Sequence, residues 1–265
     1  MITKGISFKD SNIYYNYWEN SGKETIVFLH SFGSSLKLFS EQVKYLKAEY
    51  QLLLIDLPGH GKSGFSYQVT FKDGPEIIKT ILNQYHLSKV HLFGVKEGAL
   101  IAQAFANIYP NNTLSLILMS TYSLFFNTYK TVKSATRKAN FLQAFKWLFC
   151  FNKYQQELIS KSALSSEGQS FFKETMTNFK RKTIFTKRGM KRFYQLDFKE
   201  NMYPIYLLCG KEDKEVIKDA SLQFEQKYNY VILEGYPDSR EIVFLDKARL
   251  FKERILTFLK EIRGK

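Results

Sequence analysis

In Gly94-Val95-Lys96-Glu97-Gly98 an amine stands between two glycines where an apolar run gives way to a helical repeat. Val90 to Phe93 reads as a buried strand, and Gly94 ends it. Small and apolar residues recur at helical spacing from Gly98 onward. Strand, sharp turn and helix are the setting of a G-x-S-x-G nucleophile elbow, in which glycines make the turn sterically possible and a serine hydroxyl attacks. Here lysine holds the serine's place. An ammonium at a helix start opposes the helix dipole by roughly 0.3–1 kcal/mol. Burying it adds a desolvation cost unless carboxylates offset it. Three fates are open to Lys96. It can fill the site as one half of an ion pair, or run its stem along an apolar wall and end in water. As a desolvated neutral amine it can instead attack a carbonyl to form a Schiff base.

The elements around the elbow follow from the pattern of apolar residues. Lys4–Phe8 and Ile13–Trp18 form an opening hairpin across a Lys-Asp-Ser-Asn turn. Thr25–His30 and Gln51–Asp56 are continuous apolar runs of the kind covered on both faces of a sheet. Between them Ser34 or Ser35 caps a helix expected to reach Ala48. Pro75–His86 carries helical periodicity, and Leu114–Met119 is a further buried strand. After a long interruption the pattern resumes with strands at Pro204–Cys209 and Tyr230–Leu233, and it closes with a helix from Asp246 to Ile262. Strands alternating with helices predict an α/β fold with a mostly parallel sheet covered on both faces. The interruption, residues 122–201, has no strand pattern. It is aromatic, basic and helical in character, and most apolar at Phe141–Phe151. The division expected is therefore 1–121 and 202–265 as two parts of one core, with 122–201 inserted.

With 265 residues, 45% of them hydrophobic and 16% aromatic, the chain can bury one large core and carry an insertion. Its net charge is +14, and the excess is concentrated. Between Leu124 and Glu200 stand sixteen Lys or Arg against five Asp or Glu. Such a surplus fits a membrane surface or an acidic ligand, or simply lysines that keep an insertion in solution. No nucleic-acid-binding motif accompanies it, so nucleic acid is not the expected partner. Cys150 and Cys209 have no metal or redox spacing and read as reduced thiols, and neither a metal nor a cofactor is expected. The start, MITKGISFKDS, lacks an apolar leader, and no run approaches the ~20 residues that cross a bilayer. A cytoplasmic protein is expected.

Four motifs in order carry a resemblance. They are His30-Ser31-Phe32-Gly33, Asp56-Leu57-Pro58-Gly59-His60-Gly61-Lys62-Ser63, the elbow with Ala99 and Ala102 behind it, and Pro204 to Asp213 ending in Gly210-Lys211-Glu212-Asp213. Over nearly its full length the chain resembles the α/β-hydrolase superfamily, in its single-domain, esterase-like branch. The resemblance makes the insertion a helical cap over the active site and places His30, Ser31, Phe32, Gly33, Val95, Glu97 and Tyr122 around a ligand pocket. Backbone N–H groups of Phe32 and Glu97 would form the oxyanion hole, their side chains being secondary. It makes Asp213 the triad acid. The triad histidine should follow Leu233, yet Glu234 to Glu241 contains none, and His30, His60, His86 and His91 all precede the elbow. Setting Phe244-Leu245-Asp246 on the family's usual tail puts Glu241 at the histidine position.

Two triad members are thus replaced, and losing one already lowers turnover by roughly four to six powers of ten. The arrangement expected is a Lys96–Asp213 pair, joined by Glu241, in the space of Ser-His-Asp. His30 is expected to orient its loop, His60 to be a solvent-facing spacer, and Ser63 to hold a turn. Ser31 is a poor substitute nucleophile, because strand neighbours point to opposite faces. Tyr122, Trp147 and Phe149 either line the pocket or belong to plain core. Two functions are expected from this. One is a non-catalytic protein that keeps the pocket and binds a small ligand, anionic or acyl, or a partner. The other is an esterase-like hydrolase or lyase with an unusual centre around Lys96 and Asp213.

Overall fold

The computed structural model describes residues 1–124, 137–195, 203–213, 217, 224 and 228–263. Eight strands form one sheet in the order β1-β2-β4-β3-β5-β6-β7-β8. They are β1 Ile2–Phe8, β2 Ser11–Trp18, β3 Thr25–Leu29, β4 Gln51–Ile55, β5 Val90–Val95, β6 Thr113–Met119, β7 Ile205–Gly210 and β8 Val231–Tyr236. The β1–β2 hairpin and its junction with β4 are antiparallel, and every later pairing is parallel. In β2, Ile13, Tyr15 and Tyr17 are buried while the residues between them are more open, the alternation of a strand with one covered face. β3, β4, β5 and β7 are buried at every position, as their continuous apolar runs require.

Helices cover both faces. Val27, Leu29, Val90 and Leu92 point into one core, with α2 (Gly74–Gln84) and α3 (Glu97–Ile108) over it. Ile26, Phe28, Phe93 and Val95 point into the other, with α1 (Ser40–Leu46) and the closing helix (Ala248–Arg263) over that. The period of two along each strand divides its side chains between the two layers.

Between β6 and β7 the described residues form no strand. They give α4 Arg137–Phe149, α5 Phe151–Ser162, α6 Ser166–Thr175 and two 3-10 segments, Arg181–Lys187 and Met190–Gln195. A short α7 (Val243–Asp246) then precedes α8 (Ala248–Arg263).

Two boundaries differ from expectation. The helix expected from Ser34 or Ser35 to Ala48 is a 3-10 turn, Leu36–Phe39, followed by a shorter α1. Ser35 does not cap it, because its hydroxyl donates to the Thr175 carbonyl at 2.7 Å. Asp56 Oδ1 instead accepts the Leu36 N–H at 2.8 Å. The closing helix starts at Ala248 rather than Asp246, and the unexpected short α7 precedes it, with Asp246 accepting the N–H groups of Leu164, Ser165 and Arg240.

The chain runs from β3 outward to β4, then returns to place β5 on the other side of β3. In open parallel sheets the crevice beyond the strand ends at such a reversal is where ligands bind. The loop after β3 and the turn after β5 both open there.

Candidate functional site

Lys96 sits at the turn between β5 and α3 with φ 52° and ψ −109°, a left-handed conformation that non-glycine residues rarely take. Its N–H donates to the Met119 carbonyl at 2.9 Å, and its own carbonyl accepts from Ala99 at 3.0 Å. The flanking glycines make the approach possible. A Cβ on Gly94 would lie 2.5 Å from Ala99 Cα, and one on Gly98 would lie 2.1 Å from the Leu29 carbonyl oxygen. The elbow read from the sequence is present, with an amine at its apex.

The ammonium of Lys96 donates to Glu241 Oε2. Glu241 is buried in the loop after β8, where Ser120 donates to its carbonyl at 2.6 Å and the Ile242 N–H donates to Ser162 at 3.0 Å. Burial pushes the Lys96 pKa down. The charges of Glu241, Glu97 and Asp213 outweigh it and hold the ammonium above the ordinary lysine range. Asp213 is buried at the end of the loop after β7 and acts on Lys96 through its charge, while Glu241 is the direct hydrogen-bond partner. The expected order of partners is therefore reversed, because the loop after β8 is tied back to α5 and Ser120 beside the elbow.

Glu97 has a larger part than expected. Its Oε2 accepts the Phe32 N–H at 3.1 Å, and its Oε1 accepts Lys187 Nζ at 2.6 Å. The backbone donor expected to face an oxyanion thus faces a carboxylate of the same chain. Burial would raise the Glu97 pKa, but Lys187 and Lys96 lead the groups that bring it down to about 2. Lys187 also lies 4.0 Å above the Phe32 ring, within cation–π range. Glu241, Lys96, Glu97 and Lys187 form a line of alternating charge from the β8 loop to the insertion. Tyr154 of α5 is buried next to it, its hydroxyl pushed up by burial and by the charge of Glu97.

The remaining residues are placed as follows. His30 is buried, with Nε2 accepting the Leu57 N–H at 2.9 Å and Nδ1 donating to the Ser31 carbonyl at 2.8 Å. It ties the β3 loop to the β4 loop, as expected. His60 is not a solvent-facing spacer. It is buried among the rings of Phe32, Phe71 and Phe179, and its Nδ1 donates to the Pro58 carbonyl at 2.9 Å. Gly59 and Gly61 on either side are left-handed and turn it inward. Ser31 Oγ lies 3.3 Å from Ser34 Oγ. Ser63 holds its turn, donating to the Asp56 carbonyl at 2.6 Å and accepting the Tyr14 N–H.

Gly33 has φ 90°, and a Cβ there would meet Leu158 of α5 at 3.2 Å. Val95 points into the core beneath α8, and Tyr122 packs on the α3 side with its carbonyl accepting from Gln103 at 3.0 Å. Phe149 is 64% exposed, while Trp147 rests edge-on against Phe185. Cys150 and Cys209 form no disulfide. Among the described residues no three metal-binding side chains converge.

Sequence reasoning missed Lys187 and Tyr154, which no spacing connects to the elbow. The Glu97 carboxylate had a signal, an acid in the first turn of the helix that begins at the elbow.

The chain is 23% identical over 260 residues to the uncharacterized hydrolase YugF of Bacillus subtilis (strain 168), covering 94% of both chains. It is 36% identical over 104 residues to the 2-hydroxy-6-oxononadienedioate/2-hydroxy-6-oxononatrienedioate hydrolase of Klebsiella pneumoniae subsp. pneumoniae, a match spanning 37% of this chain and 36% of that one. The esterase EaEST from Exiguobacterium antarcticum superposes with a TM-score of 0.78 at 18% identity, covering 98% of this chain and 100% of the other. Residues 24–248 match the family described as alpha/beta hydrolase fold. By that match, and by the sheet order and the elbow at the end of β5, this chain belongs to the α/β-hydrolase fold family.

Proposed function

We propose that this α/β-hydrolase-fold protein binds a small ligand, anionic or acyl, beyond the carboxyl ends of β3, β5 and β7, without hydrolysis by a Ser-His-Asp triad. The observation that carries the reading is the Lys96–Glu241 ion pair at the elbow. Ester hydrolysis needs a hydroxyl or thiol, a base to take its proton, and N–H donors for the oxyanion. Here an ammonium and a carboxylate occupy the first two places, and Glu97 accepts the Phe32 N–H in the third. The division into a two-part core and a basic helical cap over this crevice is part of the same reading, as is a cytoplasmic location. Ser35 on Thr175, Asn178 on the Gly61 carbonyl and Lys187 on Glu97 support the cap, joining the insertion to the loops after β3 and β4 and to the start of α3.

The second reading is an enzyme, a hydrolase or lyase centred on Lys96 and Asp213. The relatives favour this one, since they are named hydrolases and esterases. It would need Lys96 as a neutral amine, and three nearby carboxylates oppose that.

A panel of p-nitrophenyl esters, run with wild type, Lys96→Ala and Lys96→Ser, separates the two. The binding reading expects no saturable turnover in any of them, and upward thermal shifts with fatty acids or acyl phosphates. Saturable wild-type turnover that Lys96→Ala abolishes establishes the enzyme instead. Borohydride trapping of an aldehyde or ketone on Lys96 would identify its chemistry.

A further inference from the structure

The outer face of α4 is apolar. Leu142, Phe145, Leu148 and Phe149 are between 46% and 64% exposed, at positions i, i+3, i+6 and i+7 of a 13-residue helix. Single exposed apolar residues are ordinary, but a stripe along one helix face is not. The rings of Phe145 and Phe149 lie 4.8 Å apart and pack on each other outside the core. The opposite face carries Trp147, whose indole N–H donates to the Arg181 carbonyl at 2.8 Å.

That bond, with Arg181 Nη1 donating to the Leu148 carbonyl at 2.7 Å, fixes the exposed run Lys180-Arg181-Lys182 against the end of the stripe. Glu157, the acid of α5 that reaches α4, is taken by Lys146 and Lys161. The surface thus combines leucine and aromatic side chains with cations at one rim, Lys180, Arg181 and Lys182, which pair with no acid among the described residues.

We propose that this face seats the protein on an anionic lipid bilayer, with Leu142, Phe145, Leu148 and Phe149 at the boundary between headgroups and acyl chains. Lys180 and Lys182, held there by Arg181, then meet the lipid phosphates. Helices with an apolar face and a basic flank lie in the plane of the interface in this way. A 13-residue helix is about 20 Å long, too short to cross the hydrocarbon, and no helix among the described residues is long and apolar enough to span. Charge selects lipid over a second copy. In a two-fold contact the stripe would bring two basic runs together on chains of net charge +14, whereas anionic lipid supplies the opposite sign. Such seating is independent of whether the elbow is catalytic.

Sedimentation with phosphatidylcholine vesicles, with and without phosphatidylglycerol, tests it, alongside light scattering for oligomeric state. The full chain should bind the phosphatidylglycerol vesicles, and bind less as salt is raised. Lys180→Gln and Lys182→Gln should each weaken binding about fivefold. Phe145→Ser with Phe149→Ser should weaken it about tenfold or more at an unchanged melting temperature, since both rings are exposed. The charge variants keep the test open if the serine pair unfolds. Failure to sediment with phosphatidylglycerol, variants binding like wild type, or a dimer that Phe145→Ser with Phe149→Ser dissociates would each overturn the proposal.

Discussion

Lys96 is pulled two ways. Its side chain is 25% exposed and its strained backbone sets the ammonium near a helix start, yet three carboxylates keep it charged. Breaking such a pair leaves a largely buried charge uncompensated. Glu241→Gln should therefore lower stability by about 2–3 kcal/mol, less than for a fully buried pair because water reaches Lys96. In urea denaturation, Lys96→Met with Glu241→Gln should cost less than the sum of the singles by more than about 1 kcal/mol. Additive costs would mean that the pair contributes nothing.

The buried histidines make a separate prediction. Burial brings His30 down to about 3 and His60 to about 4, so both stay neutral in the fold. The unfolded chain takes up protons on them below about pH 6.5. Between that value and about pH 4 the unfolded state binds more protons, so stability falls as pH is lowered through this window. His60→Phe keeps a ring among Phe32, Phe71 and Phe179, and should flatten the fall of melting temperature with acidification there. An unchanged slope would show that His60 does not carry it. Glu97 adds the usual carboxylate behaviour. Its depressed pKa stabilises the fold above about pH 4.3, and that contribution is lost as pH falls toward 2.

At the scale of elements, the elbow exists because α3 and β3 nearly touch. A methyl on Gly98 would stand 2.1 Å from the Leu29 carbonyl, which is backbone in the middle of the sheet and has no room to retreat. Gly98→Ala should therefore cost about 3 kcal/mol or more, seen as lost soluble yield or a lowered urea midpoint. A near-neutral result would mean that α3 can slide on the sheet. The loop after β4 is built on a similar constraint. Asp56 accepts N–H groups from Leu36 and Lys62, and a Cβ on Gly61 would fall 2.2 Å from its carboxyl group. These two contacts position the loops that carry His30 and His60.

Across the whole molecule, the insertion is tied to the core through Lys187. This one side chain pairs with Glu97 and covers the Phe32 ring, joining the 3-10 segment Arg181–Lys187 to the helix start and to the β3 loop. Its partner is mostly buried and Lys187 itself is about one-third exposed, so its removal should loosen the insertion more than the fold. In Lys187→Met, amides of residues 151–195 should exchange severalfold faster by hydrogen-exchange mass spectrometry. The global urea midpoint should move by less than about 1 kcal/mol. Equal protection in the two proteins would show that the apolar contacts of Leu158, Met176 and Phe179 hold the insertion by themselves.

Local chemistry wrote the sheet into the sequence. Continuous apolar runs specify strands covered on both faces, and glycines specify turns that nothing larger can make. From these came the fold class and the elbow with Lys96 at its apex. The split of α1 and the short α7 were not legible, because the contacts that decide them, Asp56 on Leu36 and Asp246 on Leu164, join residues distant in the chain. Nor were the partners of Lys96 and Glu97. Glu241 lies 145 residues from Lys96, and Lys187 lies 90 residues from Glu97. An ion pair follows no periodicity along a chain. Only the parallel strands β3 to β8, whose following loops all open at the same end of the sheet, set those charges side by side.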